Sequence, residues 1–472
     1  MQAPNDVAQV QKAYDRLKKA ADDKPWLTAD EREDLLTRLE RVMLKYKDQI
    51  VTAAREDFGY RTEMETLIAD VLIPIDSARL ARKHLREWMR RRPTAVHPLS
   101  VPSHSFIEYR PLGVVGVIAP WNYPVDLAFG PAAAAFAAGN RVLIKPSELT
   151  PKISALVAQM AREAFTADEC AVVEGGTEVA KAVTALPLGH ILFTGSTAVG
   201  RLVAKAAAEN LVPVTLELGG KSPALVHESY DLDSAAQRIA IGKTFNGGQT
   251  CIAVDYALVP KAKRDAFAEK VKAHMVAQHP SAEHFTSMAT ERGYARMHAL
   301  VDDAKAKGAK AIETFKPGHD RAFPPVILLD VTDDMKVMQE ELFGPILPIL
   351  TYESIDEAIR TINSRPHPLA FYYFDDDADR VDEVLRRVPA GNVTINDTLA
   401  HFAQEELPFG GIGPSGMGAY HGFKGFETFS HQRGVMISSR LSPQYNLVRH
   451  PMKPMVKRSL EFLIRGVRGL FG

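Results

Sequence analysis

VVGVIAPWNYPVDLAFGPAAAAFAAGNRVLIKPSE, residues 114–148, sets two short apolar runs on either side of an Ala-rich segment of helical length. Residues 114–118 and 141–144 read as buried strands and 127–138 as the helix between them, a β-α-β unit. Downstream the alternation continues, with helices at 153–164, 179–185 and 199–208 and strands at 170–173, 190–194 and 214–218. Strands separated by helices build a parallel sheet. Ligands of such open sheets sit beyond the carboxyl ends of the strands, where Trp121, Asn122, Lys145, Gly195 and Gly219 fall.

A second α/β series begins near Ser222, with strands expected at 255–259, 323–328, 346–352, 369–374 and 392–395. Upstream, from Leu27 to about Met89, Leu35, Leu36, Leu39, Val42 and Met43 recur at helical spacing. Between them, Pro93, Pro98 and Pro102 with Ser100, Ser103 and Ser105 lead into Phe106-Ile107-Glu108-Tyr109, an excursion containing a strand. The fold class is α/β.

At 472 residues the chain exceeds one hydrophobic core. Its 46% hydrophobic and 24% charged residues are those of a globular protein, and a net charge of −1 gives no electrostatic case for nucleic acid. Small-molecule chemistry is expected. Cys170 and Cys251 are the only cysteines, with no CxxC or Cys/His cluster, so neither a disulfide framework nor a metal is expected. The first 20 residues lack a signal-peptide core and read as a surface helix, and no uncharged apolar run reaches membrane-spanning length, which points to the cytoplasm. At the far end Lys453, Lys457, Arg458, Arg465 and Arg468 interleave with Leu460, Phe462, Leu463, Ile464, Leu470 and Phe471. Such a basic amphipathic tail packs on its own or a partner subunit, or else meets a membrane surface.

The strongest local feature is Phe245-Asn246-Gly247-Gly248-Gln249-Thr250-Cys251. A lone cysteine is most often a buried small hydrophobe, which is the reading for Cys170 in its apolar strand. Cys251 instead follows a Gly-rich loop and is placed to present a nucleophilic thiolate. Thirty-four positions earlier, Leu216-Glu217-Leu218-Gly219-Gly220 puts a carboxylate at a strand end. A Glu there is more often an ion-pair partner, but flanking leucines would desolvate it and raise its pKa toward that of a general base. Pro120-Trp121-Asn122-Tyr123-Pro124 is a rigid turn whose Asn122 amide either bonds locally or donates to an oxyanion.

Three segments could hold a dinucleotide: Lys145-Pro146-Ser147-Glu148, where Lys and Glu suit ribose hydroxyls; Gly195-Ser196-Thr197-Ala198-Val199-Gly200, a strand-to-helix turn suited to phosphate; and Glu341-Leu342-Phe343-Gly344-Pro345. Gly411-Ile412-Gly413-Pro414-Ser415-Gly416 spells a dinucleotide fingerprint but has no preceding strand and contains Pro414, so it reads as a bend.

In this order and spacing, these segments resemble the aldehyde dehydrogenase superfamily over nearly the whole chain. The stretch from Asn396 through Leu407-Pro408-Phe409-Gly410-Gly411, Tyr420-His421-Gly422 and Thr428-Phe429-Ser430-His431 is similar to its class 3 branch. Within that branch, Asp57-Phe58-Gly59 and His401-Phe402-Ala403-Gln404 resemble the coniferyl aldehyde dehydrogenases. The resemblance implies a Rossmann-type cofactor domain (1–91 and 113–218), an α/β catalytic domain (219–414), small β bridging segments (92–112 and 430–440) that pair subunits into a homodimer, and a tail (441–472). It implies Cys251 as nucleophile, Glu217 as general base and Asn122 as oxyanion donor. Trp121, Lys145, Ser147, Glu148, Gly195, Ser196, Gly200, Leu218, Gly219, Glu341 and Phe343 would bind the cofactor. That cofactor is NAD if Glu148 repels the extra phosphate of NADP, although the class 3 branch also uses NADP. The implied substrate is an aromatic or medium-chain aldehyde, oxidised to its acid through a thioester on Cys251. Val254, where the branch usually has Pro, and Gly189, where Asp is usual, depart from the pattern without touching this chemistry. An acylating relative needs no base dedicated to water, so Glu217 argues against it. The intact Cys251, Glu217 and Asn122 set argues against a silent binding protein.

Overall fold

The computed structural model describes residues 5–97, 100–442, 451 and 454–466. The described residues of Met1–Leu85 and Pro111–Ser430 form one compact unit, and those of Arg86–Arg110 and His431–Gly472 form a second.

In the larger unit, the alternation read from residue 114 onward becomes a six-stranded sheet. Its order is Gly416–Met417, Val214–Leu218, His190–Gly195, Val114–Ile118, Arg141–Lys145, Cys170–Val172. All pairs are parallel except the first, where Gly416 lies opposite Glu217. The chain winds outward in both directions from Val114–Ile118, so the strand order reverses between that strand and His190–Gly195, opening a crevice at their carboxyl ends. Both flanks of the central strands are covered, and Val114–Ile118 and Arg141–Lys145 are buried throughout. The N-terminal helix, Asn5–Asp23, is amphipathic: it packs Val10, Tyr14 and Leu17 into the same core as Val114, Ile191 and Leu216. Helix Ala29–Phe58 starts at a Thr28–Glu31 capping box and buries the expected Leu35, Leu36, Leu39, Val42 and Met43.

The second series forms a seven-stranded sheet in the order Lys310–Glu313, Val326–Leu329, Ile346–Tyr352, Tyr256–Pro260, Pro223–Val226, Ala370–Phe374, Asn392–Ile395. Three strands begin later than the sequence pattern predicts, Ala370–Phe374 by a single residue and two others for causes in their own side chains. Pro324 and Pro325 cannot donate to a ladder, which delays one to Val326. Asp255 stays outside the other because its carboxylate serves Lys221 and the Leu342 amide. The antiparallel edge strands Lys310–Glu313 and Gly416–Met417 were not anticipated. The Gly411–Gly416 run is a tight turn leading into one of them, as its reading as a bend requires.

The smaller unit carries a three-stranded sheet, Arg92–Thr94, His104–Pro111 and Ser430–Ile437, with Glu108 paired to Arg433. Helix Pro454–Gly466 exposes Met455, Phe462 and Ile464. Lys453, Arg468, Leu470 and Phe471 of the basic tail lie outside the described residues. Among the described residues no helix is long and apolar enough to cross a membrane.

One buried ion pair fixes the crevice wall. Arg61 and Asp70, both fully buried, approach to 2.7 Å, and the other Asp70 oxygen accepts from the amides of Val125 and Asp126 at 2.9 and 3.0 Å. Asp70 thereby caps the first turn of helix Asp126–Ala137 and holds the turn carrying Asn122. Asp70→Ala would strand the Arg61 charge, and a loss of about 3–5 kcal/mol in urea unfolding is expected; a change below about 1 kcal/mol would contradict that role.

Candidate active site

The loop before Cys251 is held in a left-handed path: Asn246, Gly247 and Gly248 have φ of 54°, 60° and 73°. A Cβ on Gly247 would lie 2.8 Å from the Thr286 carbonyl oxygen and one on Gly248 2.5 Å from that of Gly344, so only glycine fits this path. Asn246 tolerates it because buried partners hold it. Its amide N–H donates to Glu65 Oε1 at 2.8 Å, and its Nδ2 donates to the Asn122 carbonyl at 3.1 Å. In return Asn122 Nδ2 donates to the Gln249 carbonyl at 3.2 Å. Gln249 spans the loop, bonding Asn246 and Ser287 carbonyls and accepting from the Ala289 amide. These reciprocal bonds lock the Trp121-Asn122 turn to the segment ending in Cys251.

Cys251 and Glu217 line one cavity of about 250 Å³, together with Ile68, Leu127, Phe245, Phe402, Phe409 and other mostly apolar side chains. Neither Glu217 oxygen has a hydrogen-bond partner among the described residues. Burial without compensation pushes its carboxyl well above the usual range. The Cys251 thiol is also raised, chiefly by burial and then by the neighbouring Glu341 and Glu217 charges, while the backbone N–H groups of Cys251 and Ile252 oppose the rise. Cys170 is buried in its strand, as expected of a structural cysteine.

On the sheet side, Glu341 reaches over Gly219. A Cβ on Gly219 would lie within bonding distance of the Glu341 carboxylate, and Glu341 Oε1 is buried without a partner among the described residues. Its carboxyl is raised to about 8 by burial. Phe343, at φ 49°, meets Trp121 edge-on with ring centroids 5.4 Å apart. Ser196 caps helix Thr197–Ala208, accepting from the Val199 amide, and Gly200 lets the first turn press against Leu218. Gly195 leaves room for the Phe193 ring below it. Ser196 and the neighbouring Val199 are exposed at this helix start. Lys145, buried, bonds Glu148 at 2.5 Å, and the Ser147 hydroxyl accepts from the Leu149 amide. The orphaned Glu341 oxygen, the open helix start and the Lys145–Glu148 pair fit a dinucleotide, whose ribose hydroxyls supply donors and whose phosphates suit the helix terminus.

The sequence pattern did not identify Glu65 and Asp70, which anchor both loops from within a helical region, nor Lys243. Lys243 is fully buried with its amine donating to the Gly344 carbonyl at 3.0 Å and its pKa lowered to about 8 by burial. Acidic side chains interrupting the apolar spacing near residues 65–70 were the available signal.

An open sheet whose strand order reverses beside an exposed helix start and an unpartnered Glu341 oxygen, in one unit with a cysteine-bearing apolar cavity, fits a nicotinamide-dependent oxidoreductase. Residues 2–435 match the aldehyde dehydrogenase family, and the chain belongs to it. It is an NAD(P)-dependent aldehyde dehydrogenase with that family's α/β fold. A probable coniferyl aldehyde dehydrogenase of Pseudomonas aeruginosa is 43% identical over 459 residues, covering 97% of this chain and 96% of that one. The rat dimeric NADP-preferring aldehyde dehydrogenase is 37% identical over 423 residues, 89% of this chain and 92% of that protein. The substrate-bound structure of Staphylococcus aureus AldH superposes with a TM-score of 0.90 at 36% identity, covering 96% of this chain and 99% of that one.

Because the Cys251 thiol is raised, its alkylation in the cofactor-free protein should be slower at pH 7 than that of free cysteine and should accelerate toward alkaline pH. At pH 9, where Glu341 is mostly ionised, Glu341→Gln should speed it further. Mass spectrometry of iodoacetamide-treated protein measures both; a rate equal to free cysteine at pH 7 would contradict the charge balance.

Proposed function

We propose that the protein oxidises aromatic or medium-chain aldehydes, coniferaldehyde among them, to carboxylic acids through a thioester on Cys251. The observation that carries this reading is that Cys251 and Glu217, remote in sequence, face one apolar cavity with the Glu217 oxygens unpartnered. The relative from P. aeruginosa bears a coniferyl name, and the aromatic walls of the cavity suit a planar substrate.

In this mechanism the Cys251 thiolate adds to the aldehyde carbon, and the carbonyl oxygen becomes an oxyanion. One Asn122 Nδ2 hydrogen is committed to Gln249; the other, with the Cys251 N–H, donates to that oxygen, each such donor contributing about 10²–10³ in rate. When bound, the oxidised nicotinamide contributes a positively charged ring and accepts the hydride expelled as the oxyanion collapses. Cys251 then carries the acyl group as a thioester. Glu217 takes a proton from water, the hydroxide adds to the acyl carbon, and the acid departs as sulfur recovers its electron pair. Phe343 and Trp121 would pack against the nicotinamide, and the unpartnered Glu341 oxygen would accept from a ribose hydroxyl.

NAD is the favoured cofactor, because the exposed Glu148 carboxylate would face the extra phosphate of NADP. Assembly as a homodimer through the three-stranded sheet is supported by its edge strand Ser430–Ile437, which leaves Met436 and Ile437 half exposed.

Glu217→Gln should let a first equivalent of NADH form rapidly and then slow steady turnover by at least about 10²-fold, with acylated Cys251 visible by intact mass. Unchanged steady turnover would remove the base assignment. Glu148→Gln should raise kcat/KM with NADP relative to NAD; an unchanged ratio would separate cofactor choice from Glu148.

A further inference from the structure

Strands His190–Gly195 and Val214–Leu218 run parallel, with Thr194 opposite Glu217 and Leu192 opposite Thr215. Side chains two residues apart share a face of a strand, so His190, Thr194, Thr215 and Glu217 all lie on one side of this pair. Buried polar groups are normally hydrogen-bonded, and at the amino end of the pair they are: His190 Nε2 lies 2.9 Å from Thr215 Oγ1. At the carboxyl end they are not. Thr194 Oγ1 and both Glu217 oxygens are buried without a partner among the described residues, and they do not bond each other.

A threonine in a buried strand most often does no more than fill its pleat. Thr194 differs in its place, because it lines the same cavity as Cys251 and Glu217. Adjacent strands lie about 4.8 Å apart, so its side chain and that of Glu217 stand next to one another without a direct bond, a gap that one water molecule spans. Much of the remaining wall gives such a water no partner: Ile68, Leu127, Phe245, Phe402 and Phe409 are apolar, and the Thr250 hydroxyl is bonded to that of Tyr123. A water in an enclosed site needs two or more polar partners. Glu217 and Thr194 together supply them.

We propose that Thr194 is a positioning residue for thioester hydrolysis, its hydroxyl accepting one hydrogen of the attacking water while Glu217 accepts the other. The assignment rests on the general-base reading of Glu217 above. With both hydrogens held, a lone pair of the water oxygen is directed at the acyl carbon. The proton on the Glu217 side passes to the carboxylate as the oxygen–carbon bond forms, and the hydrogen held by Thr194 stays on that oxygen and leaves with the acid. Cleavage of the carbon–sulfur bond returns its electron pair to Cys251. Hydride transfer comes earlier and consumes no water, so the hydroxyl acts on the second half of the reaction alone.

The test compares the unmodified protein with Thr194→Val, which keeps the shape and the methyl group but not the hydroxyl, and with Thr194→Ser, which keeps the hydroxyl. With saturating NAD and benzaldehyde, Thr194→Val should form the first equivalent of NADH within about twofold of the normal rate and then turn over about tenfold more slowly. Thr194→Ser should recover most of that loss. A second measurement needs no cofactor: 4-nitrophenyl acetate acylates Cys251, and intact mass should show the acetyl group lasting about tenfold longer on Thr194→Val. An unchanged acetyl lifetime overturns the assignment, as does steady turnover that Thr194→Val leaves at the normal rate. Should Thr194→Val not fold, Thr194→Ala set against Thr194→Ser gives the same readings. Glu217→Gln, measured alongside, separates the two roles. If it too leaves the acetyl lifetime unchanged, the base reading falls and takes Thr194 with it, whereas a longer lifetime in Glu217→Gln alone removes only Thr194.

Discussion

Two loop segments must be kept in register for this enzyme to exist, and a pair of side-chain amide hydrogen bonds between the Asn122 turn and the 246–249 segment does so. Each loop is then tied to the rest of the unit by a buried acid: Glu65 takes the Asn246 amide and Asp70 takes the start of the helix after Asn122. Burying carboxylates is costly, but both are repaid by backbone donors that would otherwise be orphaned. Helix Asp126–Ala137, apolar on every side, gives this anchor a rigid base.

The same region gathers groups whose charge burial opposes: Cys251, Glu217, Glu341 and Asp126 are all held toward their neutral forms. A neutral, water-poor cavity admits an apolar aldehyde readily. It also makes ionisation of the thiol depend on what enters beside it, which ties nucleophile strength to ligand occupancy.

Much of this was legible in the sequence where local chemistry and fold agree. The βαβ alternation gave the parallel strands of the six-stranded sheet within one residue, and the glycines around Cys251 announced a close backbone approach. What the sequence concealed was long-range. The acids at 65 and 70 break the apolar spacing, but no local feature shows which backbone amides they serve, because those lie 55 to 181 residues away. The Gly416–Met417 strand has no β-forming residues, since its role is to close the edge beside Glu217 by backbone pairing alone. Phe343 gave no hint of its left-handed backbone.

Asn246 precedes Gly247, the dipeptide in which a side-chain amide cyclises most readily onto the next backbone nitrogen when the chain is loose. In the folded protein its Nδ2 donates to two carbonyls and its backbone is fixed, so the geometry for ring closure is withheld. The fold is therefore a preservative: each excursion that frees this loop exposes the catalytic segment to irreversible deamidation, and the working lifetime of the enzyme is set partly by how seldom its two asparagines let go of each other.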